Sequence, residues 1–167
     1  MYDELTAVDI QKMQEEIDHR VRVLRPQLIE EVKVTRAYGD LSENFEYKCA
    51  KQAKNRNESR IRYLERMIRT AKVIEVTGAE DTVSLFDKVL IYNEMVKKEM
   101  TIQIVTTLRQ DALKGLISKE SPVGQAVMGH KVGDRVQVEV SPAMKYFVEI
   151  RGIEKGEDDE SLEISSY

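Results

Sequence analysis

Gly39-Asp40-Leu41-Ser42-Glu43-Asn44-Phe45-Glu46-Tyr47 separates two long stretches of helical pattern, with room between them for no more than a tight turn. Glycine readily takes the left-handed conformation that commonly closes a helix, so Gly39 suits the end of the first stretch. Asp40 can cap the helix that follows, and Glu43 three residues later completes a capping-box spacing. Asp40, Glu43 and Glu46 thereby gather at the far tip of a helical hairpin. Caps, and acids set against the positive end of a helix dipole, are the ordinary reason for such residues. A cap needs one acid and one acceptor. It explains neither the length of the arms nor the basic residues beside the tip.

The first arm runs from about Ala7 to Tyr38, where Thr6 or Asp9 can cap its start. Its apolar stripe is Ile10, Met13, Ile17, Val21, Leu24, Leu28 and Val32, in steps of three or four that suit a coiled-coil seam. Pro26 falls inside this pattern and should kink the arm, because it lacks an N–H and crowds the preceding turn. The second arm runs from about Leu41 to Val76, with the stripe Ala50, Ala53, Asn57, Ile61, Leu64, Ile68 and Ala71. The stripes match in length, so the arms can zip as an antiparallel hairpin of about 45–50 Å. Such a rod makes a poor globular core, and its shape suggests reach or a dimer interface. Lys48, Lys51, Lys54, Arg56, Arg60, Arg62, Arg66, Arg69 and Lys72 give the second arm a basic outer face. Runs of this kind are ordinarily solvated helix surface. Arg36, Lys48 and Lys51 nevertheless lie within a few turns of the acidic tip, where they could hold an anionic polymer.

The texture changes at Thr77-Gly78-Ala79, which divides a helical hairpin over residues 1–76 from a domain over 80–155. Short alternating runs at Val83–Phe86, Lys88–Tyr92, Met100–Thr106, Arg135–Val140 and Tyr146–Ile153 predict a small, mainly antiparallel sheet. Ser121-Pro122 predicts the cap and first turn of a short helix reaching Met128. Residues 156–167 form an acidic tail, expected to fray from Gly156. The fold class is therefore α+β.

Of the 167 residues, 34% are charged and 41% hydrophobic, and no apolar run is long enough to span a bilayer. A single cysteine, Cys49, excludes an internal disulfide and fits a reducing, cytoplasmic setting. The net charge of −4 is uneven: residues 1–76 carry 15 Lys/Arg and 14 Asp/Glu, and the remainder carries 11 and 16. An acidic C-terminal half argues against tight binding to bare nucleic acid, whose phosphates dominate such affinity. A protein partner is the better expectation. Two histidines and one cysteine cannot build a familiar zinc site. Phosphate-binding loops and nucleophile elbows are absent. Nothing here makes a self-sufficient active site. Asp40 and Glu43 could instead complete another protein's site, since Mg²⁺ takes one or two carboxylates and otherwise needs waters and phosphates.

The run Arg36–Tyr47 resembles the signature of the bacterial Gre transcript-cleavage factors. Leu24-Arg25-Pro26, Glu58-Ser59-Arg60-Ile61 with Leu64-Glu65, and Ile117-Ser118 with Ser121–Gly129 and Val132-Gly133-Asp134 resemble further parts of that family, in the same order. The resemblance is closer to the GreA type. It implies a coiled-coil hairpin followed by an FKBP-like domain that docks on bacterial RNA polymerase. It further implies that the hairpin enters the polymerase secondary channel and helps the polymerase cleave backtracked nascent RNA. Asp40 and Glu43 would then be the catalytic pair, holding a second Mg²⁺ jointly with the polymerase. Arg36, Lys48 and Lys51 would form a basic patch near the RNA 3′ end, with Gly39, Ser42, Asn44, Glu46 and Tyr47 supporting the tip. The implied protein is a cytoplasmic monomer with no membrane association, and an accessory factor, not an enzyme alone. Three departures stand out: Phe45 in place of a typical Ala, Val105–Gln110 without the usual Gly and Glu, and Ser141–Lys145 without a Gly. Two other readings remain open: a channel-binding regulator without cleavage activity, and a prolyl isomerase. The few aromatics of the C-terminal half weigh against the second.

Overall fold

The computed structural model describes residues 2–40 and 44–166. Two compact units divide the chain, one of Ile10–Ala71 and one joining Asp3–Asp9 to the residues from Lys72 onward.

The helical unit consists of α1 (Ala7–His19), a π-helical turn (Arg20–Leu24), α2 (Arg25–Arg36) and α3 (Phe45–Thr70). Both candidate residues cap α1 together. The Asp9 N–H donates to Thr6 Oγ1 at 3.3 Å, and the Thr6 N–H donates to Asp9 Oδ2 at 3.1 Å. Ahead of Pro26 the Arg25 N–H reaches back five residues to the Arg20 carbonyl. A widened turn thus absorbs the missing donor and the crowded carbonyl that proline brings to a helix interior.

Met13 and Ile17 of α1 and Ala50, Ile61 and Leu64 of α3 are buried, as their spacing predicts. The seam between the arms is also polar. Arg60 Nε donates to Glu16 Oε1 at 2.8 Å, and Arg20 Nε donates to the same oxygen at 2.8 Å. Arg20 Nη1 reaches Asn57 Oδ1 at 3.0 Å, while Arg25 makes a two-pronged pair with Glu58 at 2.7 and 2.9 Å. Arg60, expected on the outer basic face, is buried in this network. Helix α3 stops at Thr70, short of the expected Val76, because Ala71 turns extended. Lys72–Val73 (β2) instead pair in parallel with Glu4–Leu5 (β1), a contact between residues too few to announce a strand.

The C-terminal unit is built on β3 (Lys88–Asn93), β4 (Lys98–Val105), β5 (Leu116–Ser118), β6 (Arg135–Ser141) and β7 (Met144–Glu154), in the order β5-β4-β3-β7-β6. Within this five-stranded sheet the pairings are antiparallel except β4 with β5. Val89 and Ile91, Ile102 and Ile104, Val136 and Val138, and Val148 and Ile150 are buried at alternate positions and make the core. Helix α4 (Pro122–Val127) starts on the expected cap, Ser121 Oγ accepting the Gly124 N–H at 3.0 Å. Val83–Phe86, expected as a strand, is a turn. Asp87 Oδ2 accepts both the N–H and the hydroxyl of Ser84, and Phe86 takes a positive φ of 70°.

Arg109 lies inside this unit with 1% of its surface exposed. Its Nε meets Asp9 Oδ1 at 2.6 Å and its Nη1 meets Asp158 Oδ1 at 2.6 Å. The guanidinium carbon sits 5.0 Å from the centre of the Phe86 ring. The acidic tail therefore docks where fraying was expected. The Gly156 N–H donates to Asp87 Oδ1 at 3.0 Å, and the Ser165 N–H to the Leu108 carbonyl at 2.7 Å. A Cβ on Gly156 would lie 2.0 Å from the Phe86 carbonyl oxygen, so the tail's approach requires glycine.

Removing one partner of a buried ion pair strands the other charge, at about 3–5 kcal/mol. Asp9→Ala is expected to cost that much in urea unfolding. Asp81→Ala, at a pair with Lys131 whose members are 61% and 60% exposed, should cost far less, because solvent screens an exposed pair. Burial pushes the Glu16 carboxyl up, but hydrogen bonds from Arg60 and Arg20 outweigh this and hold it below its ordinary 4.5. A depressed folded-state value means that Glu16 stabilises the fold above 4.5 and ceases to as pH falls through the lower folded value. Glu16→Gln should lower the melting temperature near neutral pH and flatten its fall across that acid window. Thermal melts at stepped pH measure both.

Candidate functional site

The loop between α2 and α3 carries most of the singled-out residues. Helix α2 ends at Arg36, with the Ala37 N–H bonding back to the Val34 carbonyl at 3.2 Å and the Tyr38 N–H to that of Thr35 at 3.1 Å. Gly39 then takes a φ of 133°, a backbone setting that strains any L side chain, although a Cβ there would meet nothing within 4 Å. The demand on Gly39 is conformational, not a matter of space. Asp40 follows, exposed, and its carbonyl accepts the Asn44 N–H at 3.0 Å. Leu41, Ser42 and Glu43 lie outside the described residues.

Asn44, not Asp40, caps α3. Its backbone is extended (φ −75°, ψ 94°) and its Oδ1 accepts the Tyr47 N–H at 3.0 Å. Its Nδ2 donates to the Thr35 carbonyl at 2.6 Å, so one buried carboxamide joins the end of α2 to the start of α3. The expected capping box beginning at Asp40 does not open α3, since the helix starts four residues later. Asparagine ranks with aspartate as a cap, and that ranking alone could have pointed to Asn44. Glu46 lies exposed in the first turn of α3.

The basic residues divide. Arg36 Nη2 donates to the Tyr47 hydroxyl at 3.3 Å, and its guanidinium carbon lies 5.6 Å from the centre of that ring. This bond from Arg36 outweighs burial and holds the Tyr47 phenol below its ordinary 10.0. Lys48 and Lys51 point to solvent. Tyr38 (64% exposed), Phe45 (73%) and Val34 (45%) form an apolar surface beside the same loop that periodicity did not reveal. They line a groove of about 830 Å³ with Pro26, Glu30 and Cys49.

The carboxylates of Asp40 and Glu46 are hard oxygen donors of the type Mg²⁺ accepts. Among the described residues, no three His, Cys, Asp or Glu converge in a way that could hold a metal ion.

Residues 4–73 match the family model "Transcription elongation factor, N-terminal", and residues 78–155 match "Transcription elongation factor, GreA/GreB, C-term". The chain is 38% identical over 152 residues to transcription elongation factor GreA of Streptococcus thermophilus, covering 90% of this chain and 94% of that protein. It is 42% identical over 137 residues to GreA of Thermoanaerobacter pseudethanolicus, covering 81% and 87%. Among solved structures it is similar to GreA factor homolog 1 (Gfh1) of Thermus thermophilus, at 23% identity and a TM-score of 0.43, covering 93% of this chain and all of that one. No helix among the described residues is long and apolar enough to cross a membrane.

Because Arg36 favours the ionised phenol, Tyr47 should titrate below the ordinary tyrosine value of 10.0. Tyr146, pushed up by burial, should titrate above it. Arg36→Leu is expected to return Tyr47 upward and leave Tyr146 in place, as read by NMR titration of the tyrosine rings.

Proposed function

Because the chain belongs to the GreA/GreB family of transcription elongation factors, we propose that it binds bacterial RNA polymerase through the secondary channel and stimulates Mg²⁺-dependent cleavage of backtracked nascent RNA. The observation that carries this reading is the position of Asp40, exposed in the loop joining two long helices that run antiparallel. A rod with a carboxylate at its end can bring charge into a narrow site that a globular surface could not enter. The chain acts as an accessory factor in the cytoplasm, where the polymerase works, and the bond-breaking machinery is the polymerase's own.

Asp40 and Glu43 have the role of oxygen donors to a second Mg²⁺ shared with the polymerase. Such an ion stabilises charge on a phosphoryl oxygen and lowers the pKa of bound water. The chain's remaining tip residues bind and orient. Lys48 and Lys51 offer positive charge to the RNA backbone. Arg36 adds to that field while it fixes Tyr47 in place. Gly39 supplies the backbone bend that lets the loop turn, and Asn44 and Glu46 shape it. The family match over residues 78–155 supports docking of the C-terminal unit on the polymerase, with α4 and its Ser121-Pro122 start in the matched region.

The test is cleavage of labelled RNA in a backtracked elongation complex with Mg²⁺ present. Wild type is expected to accelerate cleavage, and Asp40→Asn and Glu43→Gln to lose at least about ten-fold, roughly 1.4 kcal/mol of transition-state stabilisation, with binding to polymerase retained. Wild type that binds polymerase yet leaves the cleavage rate unchanged would overturn the reading in favour of a channel-binding regulator.

A further inference from the structure

We infer that Asn44 is a positioning residue: it ties the acid-bearing loop to both helices and so fixes the approach of Asp40, an inference that rests on the tip's role proposed above. Three of its groups are engaged in three directions. The backbone N–H holds the Asp40 carbonyl at 3.0 Å, closing the loop on itself. The side-chain Nδ2 holds the Thr35 carbonyl at 2.6 Å, just before α2 ends. The side-chain Oδ1 receives the Tyr47 N–H at 3.0 Å in the first turn of α3.

An ordinary cap needs only the last of these. A serine or aspartate satisfies a helix start equally well. Neither can also donate to a carbonyl across the hairpin, because a serine hydroxyl is too short and a carboxylate has no hydrogen to give. The carboxamide is thus specific to the cross-link, not to the cap. Asn44 is 8% exposed and Thr35 6%, so these bonds are shielded from water, where they are worth most and where breaking one costs most. Thr35 is itself anchored, its hydroxyl donating to the Glu31 carbonyl at 2.8 Å. Tyr47 is anchored on the other side by Arg36. Asp40 therefore hangs from a fixed point between two helix ends. A ligand that gives only one or two oxygens to a shared ion depends on such pre-positioning, since misplacement by about 1 Å can cost 10²-fold in rate.

The discriminating variants are Asn44→Ser and Asn44→Asp, which keep the cap acceptor and lose the donor to Thr35. Two measurements are made. In the free protein, hydrogen exchange of the amides over residues 37–44 should quicken several-fold in both variants, while those of the first turns of α3 keep wild-type protection. In the backtracked complex, the Mg²⁺ concentration for half-maximal cleavage should rise several-fold, with polymerase affinity unchanged. A merely structural cap would move neither quantity. Wild-type loop exchange in both variants overturns the cross-link. Faster exchange with an unchanged Mg²⁺ requirement overturns its positioning role. If wild type itself stimulates no cleavage, the proposed function falls with the positioning role, and the exchange measurement still decides the cross-link.

Discussion

Two helices packed side by side can bury only a line of side chains, and that limit governs the hairpin. Met13, Ile17, Ile61 and Leu64 are fully or almost fully covered, yet Leu24, Leu28 and Val32 further along the same stripe are only half-buried. A stripe repeating every three or four residues also tolerates sliding by a whole repeat, because each apolar residue meets an equivalent one. Charged and amide groups remove that freedom. Glu16 must meet Arg60, Arg20 must meet Asn57, and Arg25 must meet Glu58, so the arms have one register. Buried pairs of this kind are weak evidence for net stability, because desolvation offsets their attraction. What they provide is definition, and at the far end that definition decides which residues fall in the loop.

Arg109 follows the same logic in the C-terminal unit. A guanidinium at 1% exposure is tolerable only if its donors are met, and here Asp9 and the Asp159 carbonyl accept from it, from opposite ends of the chain, with Asp158 beside it as a counter-charge. Arg109 recruits the acidic tail as its counter-charge, and Gly156 leaves room for the tail to pass over Phe86. The negative charge counted in the tail is therefore partly structural.

Much of this was legible in the sequence because it follows from period. The two helical stripes, the alternating strands and the Ser121-Pro122 helix start all produce regular signals, and the family signature at Arg36–Tyr47 located the tip. What period could not show was the direction in which a long polar side chain turns. Arg60 sits within a basic run yet faces inward, since its partner Glu16 is 44 residues away. The parallel pairing of Glu4–Leu5 with Lys72–Val73 involves two residues on each side and leaves no alternation to read. At the tip, Asp40, Ser42 and Asn44 are all acceptable caps by composition. Only the carbonyl of Thr35, presented by the other helix, makes asparagine the one that serves both ends.

The placement of that cap bears on what the acids are for. Acids in the first turn of a helix are favoured by about 0.3–1 kcal/mol through the dipole, an effect that fades beyond that turn. Glu46 lies within the first turn of α3, so the helix itself gives a reason for its charge. Asp40 lies four residues before the cap, and α3 gives no such reason. The loop nevertheless invests in its position: a glycine at a φ of 133° ahead of it and a buried asparagine behind. A positive φ that glycine takes without strain and a carboxamide bonded on both sides hold the backbone around Asp40 in place. Under the function proposed above, an exposed carboxylate held at the end of a two-helix rod serves a site in another molecule.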